Sequence, residues 1–358
     1  MNPDDRLFDK MYGCIVGGTI GDAIGGPTEM MHYQTIERLY GRVTDLIDYG
    51  PACLYGHAGW PAGHWTDDSI VKLILCDAII RCQGRITAED WGDSWREMLN
   101  PRDVYVSPIN AYFRLMNDGI PARDVGRGNM QANGTAMCIA PLGAINACDP
   151  FQAAYDTFEV GSLLHSGLAR EAGAAIAAAV AEAFKITATP GSILDAATAY
   201  LTPRSGAAET LEPMFALARS VDSARSFTVQ FYEQFVRPAP YRPLHTDLVP
   251  EGYIETVDPL ETVGAALGLF YVCGGDPEQT LVDTANFGHD CDSLGSINGA
   301  IAGAFAGAST IPEKWRKLVD EVNNVDHRRV SAAMYRALLN HKAHLESQIA
   351  ALDTLLQN

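Results

Sequence analysis

Two short stretches carry the residues best suited to chemistry, Thr66-Asp67-Asp68-Ser69 and Asp290-Cys291-Asp292-Ser293. Each sets a pair of carboxylates beside a hydroxyl at the expected mouth of a helix, among Gly, Ala and Ile. Carboxylates this crowded repel one another, and near apolar helices they persist only when a cation, a proton or hydrogen-bond donors compensate them. Oxygen ligands from Asp, Thr and Ser suit Mg²⁺, Mn²⁺ or Ca²⁺ rather than zinc or copper. Helix capping accounts for one acid in each stretch and leaves the second unexplained. The two stretches therefore read as halves of a hard-metal site, with Thr66 and Ser293 as hydroxyl ligands or as caps. Glu29 follows a helix stop at Pro27-Thr28 and shares its apolar neighbourhood only with Asp22. A place at the site and a surface position are both open for Glu29, whereas Asp22 is expected to bond backbone groups or support the ligands. His64 and His289 are expected as partners of the acids, and His165 as a satisfied core histidine; none has the spacing of a zinc motif.

These residues need helices to hold them. Residues 7–26 place glycine at Gly13, Gly17, Gly21 and Gly25, and the same step of four returns at Gly295, Gly299, Gly303 and Gly307. On a helix that step lines one face with residues lacking side chains, so that another backbone approaches closely. The stripes mark two central helices, packed against each other or separately. A helix over 66–82 carries the first acidic stretch at its N-terminus, where free N–H groups favour negative charge. Further helices are expected over 88–118 (two, broken at Asn100-Pro101 and Ser107-Pro108), 136–148, 150–166, 169–186, 208–236, 260–273, 277–286 and 326–358. A polar, aromatic connection is expected from Glu29 to His64, and a Pro-rich one through Pro238, Pro240, Pro243 and Pro250. No succession of alternating strands is found, so the fold is expected to be all-α. The acidic stretches lie towards opposite ends of the chain, and no boundary falls between them without dividing the site.

The chain has 358 residues, 47% of them hydrophobic, enough for one large core. A net charge of −18 and a pI near 4.8 disfavour nucleic acid or an anionic membrane as partner through a broad basic face. Eight cysteines form no C-x-x-C pair and read as reduced core residues of a cytoplasmic protein. The charged N-terminal residues lack the apolar core of a secretion signal. The uncharged run 294–312 reads as an interior helix rather than a membrane span. No G-x-x-x-x-G-K-[ST] loop is present, and no G-x-G-x-x-G fits residues 13–26. The D-D-x-x-D of an all-α isoprenoid synthase fails at Val71.

With these residues in place, the chain resembles the ADP-ribosylglycohydrolase family. The matching stretches are GGTIGDAIGGPTE (17–29), GHWTDDS (63–69), NGTAMCIAPL (133–142) and FGHDCDSLGSINGAIAGAFAG (287–307). The resemblance implies an orthogonal, all-helical bundle in one catalytic domain, residues 1–325, with 326–358 as a helical extension packing on it or on a partner. It implies two divalent cations, Mg²⁺ or Mn²⁺, held by Thr66, Asp67, Asp68, Asp290, Asp292 and Ser293. Glu29 matches a mobile glutamate near the scissile bond, and Glu29 or Asp67 is the expected general acid or base. Asn133, Gly134 and Thr135 match a loop lining the substrate cleft, with His165 and Gly295 also on the substrate side. The chain departs from the commoner pattern at Cys291, within D-C-D-S, and at Cys138, where many members carry Arg.

The activity so implied is hydrolysis of the bond at ribose C1 of an ADP-ribosyl or related N-ribosyl substrate, whether a small molecule or an ADP-ribosylated protein. Two other readings remain open: a glycohydrolase acting on a small nucleotide or nucleoside intermediate, and a family member that binds without turnover. A deep cleft would favour the small molecule, and metal-dependent turnover would exclude the non-catalytic reading.

Overall fold

The computed structural model describes residues 5–105, 107–236, 252 and 257–356. Among these are eighteen α-helices and no strand; a single isolated bridge pairs His32 with Gly288. In chain order they are α1 (Arg6–Gly25), α2 (Tyr33–Tyr40), α3 (Asp67–Cys82), α4 (Ala88–Met98), α5 (Ser107–Asn117), α6 (Ala122–Val125), α7 (Gly134–Cys138), α8 (Ala140–Ile145) and α9 (Pro150–Val160). There follow α10 (Gly167–Ala183), α11 (Pro190–Ala199), α12 (Ala207–Ser220), α13 (Ala224–Gln234), α14 (Pro259–Val272), α15 (Pro277–Phe287), α16 (Cys291–Ala306), α17 (Glu313–Asn323) and α18 (His327–Leu356). The all-α expectation is met.

The two glycine stripes meet. Helices α1 and α16 run antiparallel with Gly13 facing Gly303, Gly17 facing Gly299, Gly21 facing Gly295 and Gly25 facing the Cys291 backbone. A Cβ on Gly21 would lie 1.8 Å from the Gly295 carbonyl oxygen, and one on Gly299 would lie 1.9 Å from that of Gly17. No side chain fits there, so the backbones themselves are in contact. At the far end Lys10, buried in α1, donates to the carbonyls of Ala183, Ala304 and Phe305 at 2.7, 2.8 and 2.8 Å. One ammonium thus closes the C-terminal ends of α10 and α16, where carbonyls lack intrahelical partners. Ala-rich α10, buried along nearly its whole length, packs on α7, α8, α9 and α11.

Several elements differ from expectation for local reasons. Helix α2 interrupts the connection predicted to run to His64, started by His32 Nδ1 accepting from the Gln34 amide at 3.2 Å. The stretch 208–236 is two helices, because Ser223 caps a new start by accepting from the Ser226 amide at 3.2 Å. The stretch 136–148 divides at Ile139, with Pro141 in the first turn of α8. Helices α11 and α17 were not expected, and the Pro-rich connection from Pro238 to Pro250 lies outside the described residues. Helix α18 buries His327, Ser331, Met334, Ala337 and Leu338 against the body, and the His327 ring bonds the Thr19 hydroxyl of α1 at 2.9 Å. From Leu339 onward it is mostly exposed. All eight cysteines are free, but only Cys14, Cys76, Cys138 and Cys291 are buried, so the core reading holds for half of them. The run 294–312 is largely the buried interior of α16, and among the described residues no helix is long and apolar enough to cross a membrane.

Overpacking a backbone contact is costly, so Gly299→Ala should destabilise the protein by about 2 kcal/mol or more. Gly84→Ala, where the nearest atom to a new Cβ is 3.8 Å away, is the control. It should stay within about 0.5 kcal/mol of the parent in urea unfolding. Equal midpoints for the two variants would contradict the α1–α16 contact.

Candidate metal centre and active site

The close approach of α1 and α16 brings the last turn of one beside the first turn of the other, and Asp22 lies there, fully buried. Its Oδ1 accepts from the Thr66 amide and hydroxyl, both at 2.9 Å, and its Oδ2 accepts from the Ser69 amide at 3.0 Å. Asp22 therefore caps α3 from another helix, satisfying N–H groups that a local side chain would usually take. Thr66 makes no capping bond with its own side chain, nor does Asp290 at the head of α16. The capping account of the acids fails on this geometry.

The side chains so freed converge. Besides Asp22, the Thr66 hydroxyl lies 3.1 Å from Asp292 Oδ2 and 3.5 Å from Asp68 Oδ2. One hydroxyl proton cannot serve three carboxylates. Glu29, Asp290 and Asp292 each offer an oxygen within 4.8 Å of the other two. Asp68 Oδ1 and Asp292 Oδ1 are buried with no hydrogen-bond partner among the described residues. Burial, followed by repulsion from the neighbouring acids, pushes Glu29, Asp68 and Asp292 well above the usual carboxylate range. Burial also raises Asp67 to about 7, against the hydrogen bond its Oδ2 accepts from the Tyr105 amide at 3.2 Å. A cluster of this kind holds protons or cations. Oxygen donors with orphaned lone pairs aimed into one small volume fit a hard divalent cation.

Lys72, one turn beyond Asp68 on α3, adds a buried ammonium with no hydrogen-bond partner among the described residues. Burial lowers its pKa, while Asp22 and Asp68 act in the opposite sense. Its burial was not legible in the sequence, since a lysine four residues after an acid usually marks a solvated helix face.

The Asn133 amide donates to Asp290 Oδ2 and to the Thr262 hydroxyl, the latter at 3.1 Å. Thr135 Oγ1 and His165 Nδ1 are 2.7 Å apart, and a Cβ on Gly134 would lie 3.2 Å from His165 Cε1. The loop and the histidine are therefore together and adjacent to Asp290. Burial lowers His165 to about 4, so the ring is neutral, and its Nε2 lacks a partner among the described residues. Ser293 points its hydroxyl towards Met137 Sδ at 3.8 Å, a weak acceptor.

Gly295 lies in the seam of α1 and α16. Its missing side chain is directed at Gly21, 1.9 Å from that carbonyl oxygen, and the helix contact accounts for the glycine. Neither His64 nor His289 bonds an acid of the cluster: His64 Nδ1 pairs with the Trp65 carbonyl at 2.7 Å, and His289 Nε2 with Glu261 at 2.6 Å. Cys291 turns away from the carboxylates, its thiol donating to the Gly25 carbonyl at 3.2 Å and lying 3.1 Å from the Thr28 hydroxyl. Cys138 is buried and bonds the Gly134 carbonyl at 3.2 Å.

Sequence reasoning missed an aromatic wall beside Glu29. His57 stacks on Trp60 at 4.1 Å, Tyr49 meets His57 edge-on at 6.0 Å, and Tyr55 and Tyr105 lie 5.7 Å apart at the exposed rim. His57 Nδ1 is 3.8 Å from Glu29 Oε2, but burial and the nearby His64 lower His57 to about 4, so no ion pair forms at neutral pH. The available signal was the density of aromatic residues between Tyr49 and Trp65.

The profile of the ADP-ribosylglycohydrolase family matches residues 3–351. The chain is 25% identical to the uncharacterized protein YegU of Escherichia coli K12, over 91% of this chain and 96% of that one. It is 24% identical to the ADP-ribosylarginine hydrolase Tri1 of Serratia proteamaculans strain 568, over 89% of this chain and 78% of the relative. Among solved structures, the chain of an "ADP-ribosylglycohydrolase-related protein complex" superposes with a TM-score of 0.66 at 22% identity, covering 93% of this chain and 99% of that one, which shows a shared fold. By its sequence over nearly the whole length, and with the acidic cluster and fold described above, the chain belongs to the ADP-ribosylglycohydrolase family.

Proposed function

We propose that the protein hydrolyses the glycosidic bond at ribose C1 of an ADP-ribosyl or related N-ribosyl substrate, using two divalent cations, Mg²⁺ or Mn²⁺. The observation that carries this reading is the buried convergence of Thr66, Asp68, Asp290, Asp292 and Glu29, with two carboxylate oxygens unpaired among the described residues. The residues that would hold the cations are Thr66, Asp67, Asp68, Asp290, Asp292 and Ser293. Bound there, the cations would supply a template for the ribose hydroxyls and positive charge for the transition state. Asn133 fixes Asp290, and Asp22 fixes the first turn of α3, so the acids meet the substrate in set positions.

Glu29 and Asp67 are the acid–base residues of this reading. Glu29 sits at the edge of the cluster on a turn whose next residue, Met30, has φ of 58°, and the Met30 amide bonds the His289 carbonyl at 2.7 Å. Its backbone is thereby tied to the strand of chain that leads into Asp290. In the cation-free site burial, with the neighbouring acids, holds the Glu29 carboxyl above its usual range, the direction in which a general acid is tuned. Asn133, Gly134, Thr135 and His165 would contact the ribosyl part. The relative named an ADP-ribosylarginine hydrolase supports an ADP-ribosylated guanidinium as a first substrate to test. Eight free cysteines support a reducing, cytoplasmic setting.

Asp290→Asn should lose divalent-cation binding in calorimetry and activity together while keeping its helical circular dichroism; full activity in that variant would contradict the reading. Glu29→Gln should keep the cations and slow turnover by roughly 10²–10⁴-fold, and loss of the cations would instead make Glu29 a ligand. Acidity gives a further check. Since Asp67 is raised from 3.8 to about 7 in the folded chain, the cation-free fold binds more protons than the unfolded chain across that window. Its stability should fall as pH rises through the window. In EDTA, Tm should therefore drop between pH of about 5 and about 8, and added Mg²⁺ or Mn²⁺ should restore it most at the higher pH. A Tm that rises with pH in EDTA would overturn this.

A further inference from the structure

His57 is 2% exposed and has little freedom to turn. Its ring is stacked on Trp60, its amide bonds the Leu54 carbonyl at 3.2 Å, and its carbonyl accepts from the Trp60 amide at 3.0 Å. Nε2 is 2.8 Å from the Tyr105 hydroxyl. Nδ1 is buried with no hydrogen-bond partner among the described residues, and Glu29 Oε2 lies 3.8 Å from it. That gap is too long for a hydrogen bond, and a shift of roughly 1 Å by the carboxylate closes it. A buried imidazole nitrogen without a partner is costly, so its place beside a carboxylate calls for an explanation. Tyr105 is also tied to the second acid–base residue, because its main-chain amide donates to Asp67 Oδ2 at 3.2 Å.

We infer that Tyr105 and His57 form a positioning pair for Glu29: the Tyr105 hydroxyl donates to His57 Nε2, which leaves the proton on Nδ1, and Nδ1–H holds one oxygen of Glu29 on the leaving-group side of the cleft. This rests on the glycohydrolase reading, with Glu29 as general acid. The oxygen not held by His57 carries the acid proton. As the bond from C1 to the leaving atom breaks, that proton passes to the leaving atom. Water then supplies hydroxide to C1 and a proton back to Glu29, so the enzyme is regenerated. Burial keeps His57 neutral, and a tyrosine hydroxyl keeps its proton at neutral pH, as these roles require. His57 touches no reacting atom, and its effect is on where Glu29 stands.

The inference separates substrates by their need for a proton. An ADP-ribosylated guanidinium needs one to leave as guanidinium, whereas the nicotinamide of NAD leaves as a neutral pyridine and needs none. In the full chain with Mn²⁺, His57→Phe keeps the stacked ring and removes both nitrogens. It should lower kcat on the guanidinium substrate by about 10–100-fold and on NAD by less than about threefold, with KM and Mn²⁺ affinity nearly unchanged. His57→Gln should restore part of the loss, and His57→Phe should cost nothing further in a Glu29→Gln background. Equal losses on both substrates, a fall in Mn²⁺ affinity, or an additive loss in that background would overturn the pair. If the parent turns over neither substrate, the functional reading is judged on other ribosyl substrates and the pair is still decided by ring nitrogen NMR. His57 should then show the Nδ1–H tautomer, lost in Tyr105→Phe; the Nε2–H tautomer, or no change in Tyr105→Phe, would overturn it.

Discussion

Backbone contact between α1 and α16 is the constraint on which the site depends. Four glycines on α1 and three on α16, closed by the Cys291 backbone, leave no Cβ between the two stripes, so the helices meet backbone to backbone. With the register fixed by those pairs, Asp22 near the end of α1 and Asp290 and Asp292 at the start of α16 are forced to the same end of the bundle. Asp22 then recruits α3 by capping it, and the Thr66-Asp67-Asp68 stretch arrives with its side chains unspent.

Electrostatics explains why this end of the molecule must bind something. Taking several carboxylates out of water costs several kcal/mol for each that stays charged. Hydrogen bonds from Asn133, Tyr105 and the α3 amides offset part of that cost, and the Lys72 ammonium offsets more. Two oxygens, on Asp68 and Asp292, remain unpaired among the described residues. The arrangement fits a hard divalent cation.

Much of this was legible in the sequence because it is local. A glycine at every fourth residue, two acid pairs beside hydroxyls and a lone Glu29 after Pro27-Thr28 are patterns within a single short stretch of chain, and each has a place in the fold. What was not legible depends on partners far apart in the chain. His57 meets Tyr105 across 48 residues, Asn133 reaches Asp290 across 157, and His289 turns to Glu261 rather than to the aspartates beside it. Gly295 packs on the Gly21 backbone, a contact that its place near an acid in the sequence does not reveal. Helix α2 was missed although Tyr33, Ile36 and Tyr40 carry a helical apolar spacing, because it is only 8 residues long and starts on a His32 cap.

The central claim is that the buried acids hold divalent cations that act in cleavage at ribose C1. Its most direct test is release of free ADP-ribose or ribose from ADP-ribosyl-arginine, ADP-ribosyl-serine, NAD and simple nucleosides, each with Mg²⁺, Mn²⁺ or EDTA. The account predicts release from at least one of these classes that EDTA abolishes and Mg²⁺ or Mn²⁺ restores. Release that is indifferent to EDTA, or no release from any of them with either cation, would contradict it.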